Sequence, residues 1–548
     1  MLTSSRLGPR GRATSQSSSR CRLKLLACLV GASLMLCGGR PADAGSTPAP
    51  AAVFNWTGFY AGLNGGTGGG TASPTYSYVA PSDFGPDTTL NQQSHRLGGL
   101  FAGAQFGYTY QSTNNVVLGA ETDFQWSGIQ ARNRQADTTT NPLLGAVYLN
   151  TSDMTIGQNW FGTTRARLGY AFADRILAYA TGGVAYAQFN AGNGGLDQRL
   201  SPSPTIYGQT SGAMTSTRVG WVVGAGFEYA IDPRMSIKSE YLYSQFAGVT
   251  APYLVPPDVN GTFSTGSLGV HMVRAGLNYR FGEPSNALAL APATPIAAWR
   301  PSWTGFYAGV NGGYGAGTFM PSLTETTTAT ENLPRPPETS LDAIDMKLRA
   351  SGFVLGGQLG YTRELANRIV AGIETDLQWS GIDARSRFSE SDINGAGTFA
   401  YTQETDVRQD WFGTTRLRLG YEVFDRAMIY ATGGVAYAHF SAGLSSSEST
   451  NSTFATVSGT ESGGTGVLRI GWAAGAGMDC AITPGLSLRS EYLYSQYAGF
   501  SFPFQSGGVS SFGGVTTTSV AHGNFDTGTL GIHLVRVGLN WKLGPAMP

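Results

Sequence analysis

Residues 118–129 read LGAETDFQWSGI. In an extended strand the side chains alternate, so Leu118, Ala120, Thr122, Phe124 and Trp126 share one face. Gly119, Glu121, Asp123 and Gln125 share the other. A soluble sheet would bury the first face and wet the second. Here the charged face is also a glycine face, and small residues are what a narrow interior accommodates beside long charged side chains. This pattern therefore predicts a strand that turns its charges inward and its apolar face outward.

The same words return. Glu374–Ile382 reads ETDLQWSGI, 253 residues after ETDFQWSGI at Glu121–Ile129. WTGFYAG occurs at Trp56–Gly62 and again at Trp303–Gly309, each time after an Ala/Pro-rich stretch. WFGTTRARLGY at Trp160 returns as WFGTTRLRLGY at Trp411, and HMVRAGLNYRFG at His271 as HLVRVGLNWKLG at His533. The spacing between copies changes only between these blocks, so the blocks read as strands and the intervals as loops.

Each repeat gives eight candidate strands, in the first near 56–66, 97–110, 116–130, 160–171, 175–189, 218–230, 235–247 and 269–281. Connections alternate between short turns (FAD after Ala171, IDP after Ala230) and long Ser/Thr/Asn/Gly-rich segments at 67–96, 131–157, 190–217 and 248–268. Short turns on one side and long polar loops on the other are the layout of an outer-membrane barrel. The fold expectation is all-β: two tandem eight-stranded antiparallel up-and-down transmembrane barrels, with one sixteen-stranded barrel as the alternative.

The inward face of the first repeat carries Glu121, Asp123, Glu228 and Glu240 with Arg165, Arg167, Lys238, Arg274 and Arg280. The second carries Glu374, Asp376, Asp479 and Glu491 with Arg416, Arg418, Arg489, Arg536 and Lys542. Buried charges persist only when paired, and an eight-stranded interior is just wide enough for side chains to fill. These residues are expected to form an ion-pair plug in each lumen. Trp56, Trp126, Trp160, Trp303, Trp379 and Trp411 lie near strand ends, where interfacial anchors belong.

Composition fits an exported membrane protein. Of 548 residues, 13% are charged, and 35 basic residues balance 35 acidic ones, which points away from nucleic acid. The segment 1–44 reads as a signal peptide: a basic start, the apolar run LLACLVGASLMLC, and cleavage after Ala44. Residues 45–55 form an Ala/Pro-rich leader, 56–282 the first barrel, 283–302 an Ala/Pro-rich linker, and 303–544 the second barrel. Three of the four cysteines leave with the signal, and Cys480 alone remains.

These blocks (WTGFYAG after an Ala/Pro leader, ETDxQW, TGGVAY and the closing RAGLNYRF) resemble the small porin-like outer-membrane β-barrel proteins of Gram-negative bacteria, particularly alphaproteobacteria, related to OmpA-type and opacity-protein barrels. The resemblance covers nearly the whole mature chain, twice. It implies residence in the outer membrane among lipid and lipopolysaccharide, insertion by the barrel-assembly machinery, and roles as surface antigen, adhesin, minor porin, haemin binder or envelope stabiliser. The family's last strand ends in an aromatic residue; Phe281 fits, whereas the second repeat has Leu543.

Catalytic and metal chemistry find little support. Only His271 and His533 of the five histidines correspond between repeats, and by parity both fall on the outer face as interfacial rings. His95 and His439 stand alone, and NGGTGGG at Asn64–Gly70 lacks the lysine and helix of a phosphate loop. No catalytic, cofactor-binding or metal-binding residue is assigned, and the expectation is a non-enzyme. A structural and surface-display role, with loops that contact host or surface ligands, comes first. A porin for small hydrophilic solutes is the alternative; haem binding or lipid modification ranks below both.

Overall fold

The computed structural model describes residues 54–82, 85–141, 145–172, 175–255, 259–281, 300–424 and 426–544. The signal segment, most of the leader and the linker through residue 299 lie outside the described residues. Nearly everything described is antiparallel strand, with one 3-10 turn at Ala366–Arg368. The first repeat contributes β1 (Gly58–Ala72), β2 (Thr75–Ser82), β3 (Gly85–Gln111), β4 (Val116–Ser127), β5 (Gln130–Asn141), β6 (Ala146–Phe172), β7 (Ile176–Ser201), β8 (Thr205–Ala230), β9 (Met235–Phe246), β10 (Thr250–Val255), β11 (Val259–Ser264) and β12 (Leu268–Arg280). The second contributes β13 (Gly305–Phe319), β14 (Ser322–Glu331), β15 (Glu338–Glu364), β16 (Ile369–Asn394), β17 (Gly397–Phe424), β18 (Ala427–Ser452), β19 (Ala455–Thr483), β20 (Leu486–Tyr497), β21 (Ser501–Phe512), β22 (Val515–Asp526) and β23 (Leu530–Leu543).

Two closed rings of eight strands form the base. The first runs β1–β3–β4–β6–β7–β8–β9–β12 and back to β1. The second runs β13–β15–β16–β17–β18–β19–β20–β23 and back to β13. Tight turns close their lower ends. In one of them Asp232 Oδ1 accepts from the backbone N–H groups of Arg234 and Met235.

Above these barrels the strands regroup. The upper part of β3 leaves β4 and pairs with β16 of the other repeat, His95 opposite Ser386. Reciprocally, β5 pairs with β15, Asp137 opposite Ile344. With β2, β10, β11, β14, β21 and β22, the extensions close one ring of sixteen strands. Both expected closures are thus present at different heights. Bulges mark the transition, between Trp379 and Ile382 on β16, Gln409 and Trp411 on β17, and Gln158 and Trp160 on β6. An extra residue bends a strand and increases its twist, which is what a sheet passing from a narrow ring to a wide one requires.

The segments expected to be long loops are therefore strands. β7 has 26 residues and β19 has 29, against the ~9–11 that cross a bilayer. The upper ends of the long strands, such as SSSESTNS on β18, are polar on both faces, so no apolar alternation announces them. They are held by continuous backbone pairing in place of a buried face.

The exteriors differ by height. Around the eight-stranded rings Phe59, Leu63, Leu118, Leu168, Leu355 and Leu417 are exposed, while Glu121, Arg165, Glu374 and Arg416 are buried inside. Higher up the exposed face carries Thr326, Thr328, Ser447 and Ser449. The two barrels also touch one another. Ile176, Tyr229 and Ile231 pack on Ala427 and Cys480, and Val273 packs on Tyr314 and Val535. Tyr229 donates its hydroxyl hydrogen to the carbonyl of Ala481, 3.0 Å away.

Candidate functional site

The lumen of the first barrel is crossed by charge. Register sets Glu121 opposite Arg165 and Glu240 opposite Arg274, so acid and base meet across neighbouring strands, whereas Lys238, opposite Glu228, turns to Glu121 and Glu240. Arg165 reaches Asp123 at 3.0 Å and Glu240 at 2.8 Å besides Glu121. Lys238 Nζ lies 2.7 Å from Glu121, and Arg274 lies 2.9 Å from Asp123. Arg167 bridges Glu228 at 2.9 Å and stacks 3.8 Å from the ring centroid of Tyr179. Tyr60 completes Glu121 by donating at 2.7 Å. Each ion is met by opposite charge and hydrogen bonds, the condition under which buried ions persist.

The second barrel repeats the layer with altered members. Arg416 holds Glu374 at 2.7 Å, Asp376 at 3.0 Å and Glu491 at 2.9 Å. Where the first barrel has Glu228 and Lys238, the second has Asp479 and Arg489. The shorter acid is gripped twice, by Arg489 Nε at 2.8 Å and Nη2 at 3.1 Å, and Arg489 also contacts Glu374. Arg418 stacks over Tyr430 as Arg167 does over Tyr179.

Two further layers close each lumen. Above the charges lie apolar clusters, including Phe101, Phe161, Phe189 and Phe246 in the first barrel and Phe319, Phe440, Phe502 and Phe525 in the second. Below the charges sits a tryptophan. Trp56 is 0% exposed and packs against Phe54, Val117, Leu177 and Tyr179 inside the lower mouth. It is therefore a stopper and no interfacial anchor, because Phe54 and Trp56 already pack inside the mouth before β1 begins. Trp303 likewise packs inward, against Val370, Met428 and Tyr430. Trp126, Trp160, Trp379 and Trp411 do lie on the outer wall, in cross-strand pairs just below the bulges.

Two basic residues leave the expected network. Arg280 donates to the Trp56 carbonyl and to Thr109, and its guanidinium sits 5.5 Å from the Trp56 ring, so it clamps the stopper. Lys542 sits at the exposed rim and donates to the Ser302 carbonyl at 3.1 Å. Being near the end of β23, it reaches the incoming chain and falls short of the carboxylates. A cavity of about 50 Å³ opens beside it, lined by Trp303, Arg418, Asp479, Arg489 and Lys542.

The histidines also move from their expected places. His271 lies on the outer wall of the first barrel but packs against Tyr314 and Phe353 of the second, with Tyr241 OH 2.8 Å from Nδ1. It belongs to the contact between barrels. His439 has a partner that alternation alone does not reveal: Asp410 Oδ2 lies 2.8 Å from its Nδ1 and also accepts from Ser441. The serine bonds the acid and not the imidazole, so the trio lacks the nucleophile–base contact of a hydrolase. At the matching place the first repeat has Asn159 and Gln188, an amide pair. Among the described residues no group of three metal-ligating side chains converges.

Comparison with known proteins agrees with this architecture. A family model described as outer membrane protein beta-barrel domain matches twice, at residues 42–281 and 286–536. The 31 kDa outer-membrane immunogenic protein of Brucella melitensis is 37% identical over 239 residues, 43% of this chain and 88% of that protein. The 25 kDa outer-membrane immunogenic protein of Brucella abortus is 26% identical over 43% of this chain and 84% of its own length. A 22 kDa outer membrane protein of Rhizobium leguminosarum is 25% identical over 40% and 74%. Each relative is thus about one repeat long. Among solved structures a Pseudomonas aeruginosa FadL homologue covers 89% of this chain and 91% of its own at 11% identity, but with a TM-score of 0.23 that likeness carries no argument.

Proposed function

The chain belongs to the outer membrane protein beta-barrel domain family, and from that premise we propose that it is a non-conducting surface scaffold of the outer membrane. Two plugged barrels anchor it, and the sixteen-stranded ring displays polar sheet and hairpins to the outside for adhesion or envelope integrity. One observation carries this reading: each lumen is filled by an ion-pair layer under an apolar roof, closed below by Trp56 in the first barrel and narrowed by Trp303 beside a small cavity in the second. A hydrophilic solute would have to break several buried ion pairs to pass. No catalytic role is assigned.

Planar-bilayer recording of the purified full chain tests it. Silence at verified insertion is the expected outcome, and a stable unit conductance would establish the porin reading in its place. Removing the β10–β11 and β21–β22 hairpins should abolish surface binding while both barrels stay folded. Binding that survives those deletions removes the display role.

A further inference from the structure

The lower mouth of the second barrel keeps open a space whose counterpart in the first barrel is occupied by side chains. The cavity measures about 50 Å³, room for roughly three or four water-sized spheres. Register sets Tyr307 opposite Lys542 as it sets Tyr60 opposite Arg280, so the two mouths correspond strand for strand. Three differences open the second. Pro301 stands where Phe54 meets Trp56 edge-on, ring centroids 4.6 Å apart. Lys542 replaces Arg280, whose guanidinium lies over both of those rings. Asp479 is one methylene shorter than Glu228.

The lining is basic. Arg418, Arg489 and Lys542 share it with one acid, Asp479, a local excess of two positive charges. Arg418 and Arg489 are 4% and 1% exposed. Both Asp479 oxygens are taken: Oδ1 accepts from Arg489 Nε at 2.8 Å, and Oδ2 accepts from Arg418 Nη2 at 2.8 Å and Arg489 Nη2 at 3.1 Å. Glu374, further inward, is held by Arg416, Arg418 and Arg489. A cation entering here would meet three like charges and no free carboxylate. Donors, in contrast, remain to be used. Lys542 Nζ gives one of its three N–H groups to the Ser302 carbonyl. Arg418 Nε is buried and has no hydrogen-bond partner among the described residues. Arg167 Nε in the first barrel is unpartnered too, but its mouth is stopped by Phe54, Trp56 and Arg280. The space and the Lys542 ammonium, more than the buried donor, set the second mouth apart.

We propose that this mouth binds a tetrahedral oxyanion of the phosphate class, taken up as the free anion or as the phosphate of a lipid headgroup. Four oxygens around one centre match the space, and a dianion matches the charge excess. Charge-assisted hydrogen bonds from an ammonium and a guanidinium are the strong kind that hold such a group. The site is independent of the display reading, since it lies at the opposite end of the barrel from the sixteen-stranded ring.

Equilibrium dialysis of the full chain in maltoside micelles against radiolabelled inorganic phosphate, at fixed ionic strength, tests it. Uptake should saturate near one phosphate per chain, and sulfate should compete where chloride at equal concentration does not. Lys542→Gln should weaken binding about tenfold or more, the loss of one charged hydrogen bond. Pro301→Phe, which restores the ring of the first mouth and leaves every ion pair in place, should abolish it. Heat-modifiable migration verifies that both variants are folded. Absence of saturable uptake, equal uptake by wild type and both variants, or displacement by chloride as effective as by sulfate overturns the proposal. The same measurement in phosphatidylglycerol nanodiscs distinguishes the sources: uptake that persists there assigns the site to the free anion, and uptake lost there but present in micelles assigns it to a headgroup phosphate.

Discussion

The two barrels solve one problem with different parts. Both must fill a narrow interior with charge that pairs within itself. The first uses Glu228 with Lys238, and Lys238 spends its ammonium on Glu121, 2.7 Å away. The second uses Asp479 with Arg489, which grips its own acid twice and still touches Glu374. Lysine is a point charge that serves one strong partner here, whereas arginine's fork serves two. The lower mouths differ in the same sense: Phe54, Trp56 and Arg280 make a closed stopper, while Trp303 and Lys542 leave a small cavity. The first plug therefore depends more on single residues than the second.

That contrast is sharpest at the central carboxylates. Glu121 meets Arg165, Arg167, Lys238 and Tyr60, and Glu374 meets Arg416, Arg418, Arg489 and Tyr307. Truncating one member of a buried ionic network typically costs ~3–5 kcal/mol, because its partners stay buried and uncompensated. Glu121→Ala should fall at the upper end, since Lys238 retains only Glu240 at 3.7 Å. Glu374→Ala should cost less, since Arg489 keeps Asp479. Urea unfolding in detergent, followed by loss of heat-modifiable migration, measures both; equal losses would break the comparison.

The stoppers give a smaller effect. Arg280→Lys gives up the guanidinium fork over Trp56 while keeping the charge, and losing one charged hydrogen bond of this kind costs roughly 1.5–3 kcal/mol. Lys542→Arg should change stability by less than about 0.5 kcal/mol, because Pro301 stands where the first repeat has Phe54 and offers no ring to stack on. A clear gain from Lys542→Arg would mean that the second mouth is a stopper lacking only its clamp.

Much of this was legible in the sequence, and the reason is periodicity. Alternation on β4 separated Leu118 and Phe124 from Glu121 and Asp123, and the duplication doubled the signal, so the two rings could be read from it, while Arg280 and Lys542 fall outside the expected ion-pair layer. What escaped lacks an apolar face or a local cue. The Thr/Ser/Asn-rich extensions alternate only between polar residues, so their pairing across repeats, β3 with β16 and β5 with β15, left no pattern to read. Trp56 and Lys542 went astray for another reason: they lie at strand ends, where the path of the incoming chain and not parity sets their direction. The Asp410–His439 contact spans a bulge that shifts parity by one residue.

The two junctions that make the sixteen-stranded ring supply the subtlest contrast. Asp137 of β5 and Glu390 of β16 stand 253 residues apart, at corresponding places of the repeats, each on the seam with the other half. Burial, then the carboxylates of Asp342 and Glu325, push Asp137 up to about 6. Glu390 is raised by burial and by Asp392. Further acids share the space around Asp137, since Tyr401 is pushed up to about 12 by burial and then by Glu461, Glu448, Glu325 and Asp137 itself. The unfolded chain titrates Asp near ~3.9. The folded state therefore holds the Asp137 proton more tightly, and stability present below about pH 4 is lost as pH rises through about 6. Because Asp137 is only half-buried, solvent screening limits the loss to about 1 kcal/mol. Amide hydrogen exchange across β5 and β15 should accordingly quicken between pH 4 and pH 7, beyond the intrinsic pH dependence of exchange. Asp137→Asn should remove most of that excess, and Glu390→Gln should leave it in place while protecting β3 and β16 slightly. If exchange at both seams follows pH identically in all three proteins, the carboxylates do not set the strength of the joint between the halves.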